Sequence, residues 1–175
     1  MITRLSNLKE YLSKQKTKAR LVVGAASDKN VFDAVINAEK TGFIDVILVG
    51  DINKIEKILN ESDYKNSGIE IIDVKDDYAA GEKAVDLIRS GEAQILMNGQ
   101  ESYQGASMIT RPLLEKNSSL IKGKTISHVA VFEMEHYHKL LAVTDVAVNI
   151  SPDLSTKADI ISNAVFLMRR FGIET

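Results

Sequence analysis

Two apolar runs, each closed by a glycine, constrain this chain more than any other feature. Leu21-Val22-Val23 ends at Gly24, and Val46-Ile47-Leu48-Val49 ends at Gly50. Short runs of this kind, rich in β-branched residues and without polar alternation, suit strands buried on both faces. Between them Val31, Ala34, Val35 and Ala38 recur at helical spacing, and Gly42 stands where that helix would stop. The unit then repeats. Asp51 is placed to cap a helix through Leu59, Ile69 to Val74 reads as a third strand, and Asp76 or Asp77 opens a helix that Gly91 ends. Ala93 to Met97 reads as a fourth strand, and Ser107 to Lys116 as a helix with Pro112 near its first turn. An amphipathic helix carrying Ile2, Leu5, Leu8 and Tyr11 precedes all of this. Strands and helices alternating at this interval imply right-handed crossovers, so the expected fold is a three-layer α/β/α sandwich with a mainly parallel sheet.

After Gly123 the rhythm changes. Thr125 to Met134 and Lys139 to Asn149 both look like strands, with too few residues between them for a crossover helix. The segment near 125–149 is therefore expected to be an antiparallel excursion. Ser151-Pro152-Asp153 then starts a last helix, Ser155 to Arg170.

Composition narrows the function classes. The chain has 175 residues, enough for one ordinary domain but not for two full-sized ones. Lys and Arg number 22 against 24 Asp and Glu, a formal charge of -2, so no overall positive field draws nucleic acid or an anionic membrane. Any anion must be held locally. The lack of cysteine excludes disulfides, thiolate metal sites and cysteine nucleophiles. The basic start lacks the unbroken apolar stretch of a signal peptide, and no run approaches membrane-spanning length, so a cytoplasmic protein is expected.

In parallel α/β sheets, ligands gather at the carboxyl ends of the strands. The first such loop, Gly24 to Asp28, has too few glycines for a dinucleotide fingerprint and lacks the Gly-Lys-Ser/Thr ending of a P-loop. Ser27 or Asp28 is read there first as a helix cap, and backbone N–H groups offered to an anion are the sharper alternative. The loop from Asn98-Gly99 to Arg111 is rich in small donors, among them Ser107. Gly99 permits close backbone approach, and Arg111 supplies a planar set of donors suited to phosphate, or else pairs with Glu115 one turn on. His128 is expected within an apolar strand, and His136-x-His138 follows in a turn with Glu133 and Glu135, a pattern read as plain surface residues ahead of a metal site. Asn149 and Ser151, before the last helix, are placed to hold an anion, although Pro152 and Asp153 alone already explain a helix start.

Ser127-His128-Val129-Ala130-Val131-Phe132-Glu133, Leu141-Ala142-Val143-Thr144-Asp145 and Asn149-Ile150-Ser151-Pro152-Asp153, in this order, resemble the phosphate acetyl/butyryltransferases, particularly the butyryltransferase branch. Gly42 to Asp51, Leu87-Ile88-Arg89-Ser90-Gly91 and Ile95-Leu96-Met97-Asn98-Gly99 follow the same pattern, and Thr110-Arg111-Pro112 is similar to an arginine-proline step of the acetyltransferase branch. The resemblance implies transfer of an acyl group between coenzyme A and inorganic phosphate, with no metal or redox cofactor and with coenzyme A as a substrate. It implies a fold like that of isocitrate and isopropylmalate dehydrogenases, with a cleft between two α/β/α domains. On this reading residues 1–175 are a single α/β/α domain, the first of the two, and the second domain is absent from the chain. Phosphate and the developing oxyanion would be met by Asn98, Gly99, Ser107, Arg111, Ser127, His128, Asn149 and Ser151. Where butyryltransferases commonly carry a lysine, this chain has Asn98, and the catalytic base is expected outside the chain. The partners implied are acyl-CoA and phosphate, with a homo-oligomer expected and neither nucleic acid nor membrane. Two readings stand beside an active acyltransferase: a noncatalytic module that binds phosphate or coenzyme A, and a dehydrogenase-like domain. The surface left by a missing second domain should be apolar.

Overall fold

The computed structural model describes residues 2–14, 17–62, 69–100, 109, 113 and 125–173. The chain divides into two compact units, Lys16–Leu120 and a second built from Met1–Gln15 with Ile121–Thr175.

The first unit is the parallel sandwich. Its strands are β1 (Ala19–Gly24), β2 (Ile44–Gly50), β3 (Glu70–Asp73) and β4 (Ile95–Asn98), arranged β3-β2-β1-β4. Every pairing is parallel, with Leu21 opposite Val46 and Ile95, and Ile47 opposite Glu70. Successive strand side chains point to opposite faces, and this alternation sorts the core into two layers. On one face Leu21, Val23, Val46 and Leu48 pack with Val31, Phe32 and Val35 of α2 (Lys29–Lys40) and Ile55 of α3 (Ile52–Glu61). On the other, Val22, Ile47 and Val49 pack with Ala80, Ala84 and Leu87 of α4 (Asp77–Arg89). Each fully buried aliphatic or aromatic side chain contributes about 1.5–3 kcal/mol, so these two layers are the main source of the unit's stability.

The helix ends follow from local chemistry. The carboxylates of Asp28, Asp51 and Asp76 accept from the backbone N–H of Asn30 (2.9 Å), Asn53 (2.9 Å) and Ala79 (2.8 Å), and a cap of this kind is worth about 1 kcal/mol. Gly42 and Gly91, at φ +76° and +79°, end α2 and α4 in the left-handed region that glycine tolerates. Of the two expected openers of α4, Asp76 is the cap.

Strand order also fixes where a ligand would sit. From β1 the chain steps outward to β2 and β3 with α2 and α3 on one face. It then returns through α4 on the other face to place β4 on the far side of β1. Right-handed crossovers require this change of face when the direction of winding reverses. The reversal lies between the carboxyl ends of β1 and β4. The helix expected from Ser107 to Lys116 lies outside the described residues except for Ile109 and Leu113, which are both helical.

The second unit holds α1 (Leu5–Ser13), the hairpin strands β5 (Ala130–Phe132) and β6 (Leu141–Val143), and α5 (Leu154–Arg170). β5 and β6 are antiparallel, Val131 opposite Ala142, as the short spacing after Gly123 requires. Both are shorter than the sequence pattern suggests: Thr125, Ile126, Ser127 and His128 before β5, and Thr144 and Asn149 after β6, are engaged by side-chain hydrogen bonds. The Ile2 N–H donates to the Phe171 carbonyl at 2.8 Å and joins the start of the chain to the end of α5. Among the described residues no helix is long and apolar enough to cross a membrane.

Candidate functional site

At the switch point of the sheet, the loops after β1 and β4 are stitched together by backbone. The Gly99 N–H donates to the Gly24 carbonyl at 2.7 Å, and the Gly99 carbonyl accepts from Ser27 (3.2 Å) and Asp28 (3.3 Å). Ala26 N–H donates to the Val49 carbonyl at 3.0 Å. The N–H groups of residues 26–28 that an anion would need are therefore engaged, and Asp28 acts as the cap of α2. Ala25 is fully buried at φ +56°, a left-handed conformation that costs a non-glycine residue about 1–2 kcal/mol and that the surrounding bonds maintain.

Two residues singled out from the sequence lie here. Gly99 needs to be glycine because a Cβ would stand 2.6 Å from the Ala25 carbonyl carbon and oxygen and from Ala26 Cα. The close approach it permits is to its own chain. Asn98 donates from Nδ2 to the Gln100 carbonyl, and Gln100 Nε2 donates to Asp77 Oδ2 at 2.8 Å, tying the loop to the first turn of α4. Asn98 Oδ1 is buried with no hydrogen-bond partner among the described residues. Asn98→Asp would remove the one donor that is satisfied and set a carboxylate against the Gln100 carbonyl. It is expected to cost about 2 kcal/mol in urea unfolding, whereas Asn98→Ala, which deletes the orphaned acceptor as well, costs less. Ser107 and Arg111 lie outside the described residues.

Ser127, His128, Asn149 and Ser151 belong to the second unit, where a side-chain network brings the first three together. Asp145 is its centre. Its carboxylate accepts from the N–H groups of Ala147 (3.1 Å) and Val148 (3.0 Å), from Asn149 Nδ2 and from the backbone of His128. Partial burial pushes the Asp145 carboxyl up, but these donors outweigh it and hold the group well below the usual carboxylate range. Asn149 Nδ2 donates also to the Ile126 carbonyl at 2.9 Å, and Thr144 Oγ1 to the His128 carbonyl at 2.6 Å. From α5, Asn163 Nδ2 donates to the Thr125 carbonyl and to Ser127 Oγ, both at 2.9 Å, and Asp159 accepts from Thr125 Oγ1 at 3.1 Å.

This network changes what each residue can offer. The amide donors of Asn149 are engaged within the chain. His128 enters through its backbone with its side chain exposed, and it precedes β5 instead of lying inside a strand. Ser127 Oγ accepts from Asn163 and keeps its own proton for a further acceptor. Ser151 is exposed, one turn before α5, whose cap is Asp153 through the Thr156 N–H at 2.7 Å. Sequence reasoning missed Asp145 as the hub, and missed Asp159 and Asn163. The last two sit four apart on α5, one turn of one face, and that spacing was the signal available.

The His136-x-His138 turn lines an open cleft of about 640 Å³ with Thr3, Arg4 and Glu133 to Tyr137. Glu133 Oε2 accepts the Leu5 N–H at 2.8 Å and so serves the start of α1. Among the described residues no group of three or more His, Asp or Glu is disposed to hold a metal ion.

The winding of the sheet and the loops at its strand ends define an open, doubly wound α/β protein. The chain belongs to the phosphate acetyl/butyryl transferase family: the family model described as Phosphate acetyl/butaryl transferase matches residues 5–84 and 79–175. It is 37% identical over 172 residues to a phosphate butyryltransferase of Clostridium acetobutylicum, covering 97% of this chain and 56% of that protein. It is 33% identical over 165 residues to a phosphate acetyltransferase of Rhizobium meliloti, covering 92% of this chain and 50% of that one. A branched-chain phosphotransacylase from Enterococcus faecalis shares the fold, with a TM-score of 0.66 at 24% identity over 89% of this chain and 52% of that one. The chain thus spans about half the length of the relatives it matches.

Proposed function

We propose that this chain is part of an acyltransferase that moves an acetyl- or butyryl-type group between coenzyme A and inorganic phosphate in the cytoplasm. The observation that carries the reading is a family match spanning the chain, with similar relatives that are phosphate butyryl- and acetyltransferases. Residues 1–175 would be the first domain of the whole enzyme. When acyl phosphate is the donor, the coenzyme A thiolate attacks its carbonyl carbon, the tetrahedral oxyanion collapses and phosphate leaves, so the protein must hold a phosphate dianion, stabilise the oxyanion and assist loss of the thiol proton. Arg111 is the candidate phosphate ligand by charge and shape. The Ser127 hydroxyl is the candidate neutral donor of the second unit, and Ser151 is a further exposed donor before α5. Gly99 joins the loops after β1 and β4, Asn98 bonds to Gln100, and Asn149 holds the segment next to Ser127 and His128.

The test is phosphate- or arsenate-dependent release of thiol from acetyl-, butyryl- and isobutyryl-CoA by the chain combined with the remaining part of the family fold. Arg111→Ala is expected to lower kcat/KM for phosphate about tenfold or more while leaving the unfolding midpoint unchanged; equal losses in both would make Arg111 structural. A second reading, a module that binds without turnover, is favoured by the engagement within the chain of the residue 26–28 N–H groups and of the Asn149 amide. Heat released on titrating the chain with coenzyme A or phosphate, with no thiol release in the combined assay, would support it.

A further inference from the structure

We infer that Asn163 is a positioning residue: its side-chain amide fixes the Ser127 hydroxyl as a hydrogen-bond donor for a substrate oxygen that can only accept. The inference rests on the acyltransferase reading for the identity of the substrates and on geometry for the rest.

The orientation of the Asn163 amide is decided by its neighbours. Nδ2 lies 2.9 Å from the Thr125 carbonyl oxygen and 2.9 Å from Ser127 Oγ. A carbonyl oxygen only accepts, so turning the amide over would set Oδ1 against it, two acceptors with no proton between them. The amide therefore presents its NH2 group on this side, and one proton goes to the Thr125 carbonyl and the other to the serine. Ser127 Oγ is the acceptor of that second bond, and its own proton has to point away from Asn163. Among the described residues no hydrogen bond takes up that proton. Ser127 is partly buried, so the donor is neither enclosed nor freely solvated.

The segment that carries Ser127 is held along its length. Thr125 Oγ1 donates to Asp159 at 3.1 Å, Asn149 Nδ2 to the Ile126 carbonyl at 2.9 Å, and Thr144 Oγ1 to the His128 carbonyl at 2.6 Å. Residues 125 to 128 are thus each tied by a side chain from α5, from the end of β6 or from the loop before α5. The Asn163 bond to Thr125 is enough to anchor the backbone; the bond to Ser127 adds a direction to a hydroxyl. An untied serine side chain turns among three staggered positions, and a donor fixed before its partner arrives loses less freedom on binding. A hydroxyl held in this way is neutral and spends its proton on an acceptor, which is the requirement of a phosphate oxygen or of the carbonyl oxygen of an acyl thioester.

Inorganic phosphate and butyryl-CoA, titrated separately into the full chain while the backbone amide resonance of position 127 is followed by NMR, test the inference, and the arm that moves the resonance names the oxygen. At least one of the two is expected to shift it to saturation. Ser127→Ala is expected to weaken that binding about tenfold and Asn163→Ala about fivefold. In the Ser127→Ala background Asn163→Ala should weaken it less than about twofold further, because its effect passes through the hydroxyl. Where Asn163→Ala fails to fold, Ser127→Ala, which removes the hydroxyl alone, still carries the test. Three results would overturn the inference: neither probe moves the resonance; Ser127→Ala binds as tightly as the wild-type chain; or Asn163→Ala weakens binding by the same factor with and without the Ser127 hydroxyl, which makes Asn163 structural. Binding through Ser127 with no thiol release would sink the acyltransferase reading and leave this inference standing, and thiol release unchanged by Ser127→Ala would do the reverse.

Discussion

Replacing Gly99 with alanine is expected to destabilise the first unit by about 3 kcal/mol or more, a large effect for the addition of one methyl group. The added Cβ would lie 2.6 Å from three atoms of Ala25 and Ala26, all but the carbonyl oxygen on the main-chain trace and none on a side chain that can turn away. Relief would have to come from movement of the β1 loop. That loop is already held by bonds from Gly99 to Gly24 and from Ser27 and Asp28 to Gly99, with Ala25 in a left-handed conformation between them. Moving it would break the stitch between β1 and β4 where the winding reverses. Gly42→Ala is the control: its φ is +76° but nothing lies within 4 Å of the added Cβ, so only the backbone penalty of about 1–2 kcal/mol applies. Unfolding in urea followed by circular dichroism measures both. Similar costs for the two variants would show that the contact at Gly99 relaxes freely.

Asp145→Ala should have the largest effect in the second unit. It removes the acceptor shared by Ala147, Val148, Asn149 and His128 and frees the loop that connects β6 to α5. Amide exchange at Ala147 and Val148 is expected to accelerate about a hundredfold, while α2 to α4 keep their protection. Acid should act in the same sense. Because the folded carboxyl lies below its unfolded value, its contribution is complete above an unfolded pKa of about 4 and is lost as pH falls toward the folded value. Asp153, held down by hydrogen bonds from Thr156, adds to the same trend. The second unit of the wild-type chain should therefore loosen below about pH 4, and in Asp145→Ala that acid dependence should shrink. An acid profile indifferent to the substitution would assign the pH response elsewhere.

Much of this architecture is legible in the sequence because its causes are local. Leu21-Val22-Val23 and Val46 to Val49 declare buried strands by composition, and Asp28, Asp51 and Asp76 meet donors two or three residues away. Gly42 and Gly91 mark helix ends for the same reason. What escaped sequence reading depends on partners distant along the chain. Gly99 looks like a place where a ligand could approach, yet its near neighbours are Ala25 and Ala26. Asn149 looks like a free donor, yet its amide reaches back to Ile126. Strand length in the β5 to β6 hairpin was overestimated because Thr125 and Ile126 bond to α5 and to Asn149, which no alternation pattern reveals. Among the described residues the exposed large apolar side chains, Ile95 apart, lie in the second unit, which no local pattern in the sequence marks.

The central proposal is that this chain is part of an acyltransferase that uses coenzyme A and phosphate. Its most direct test is release of thiol from butyryl-CoA by the chain together with the remaining part of the family fold, followed as phosphate is varied. Release is expected to rise to saturation with phosphate and to fall sharply in Arg111→Ala. Release that is absent, or the same with and without phosphate, would contradict it.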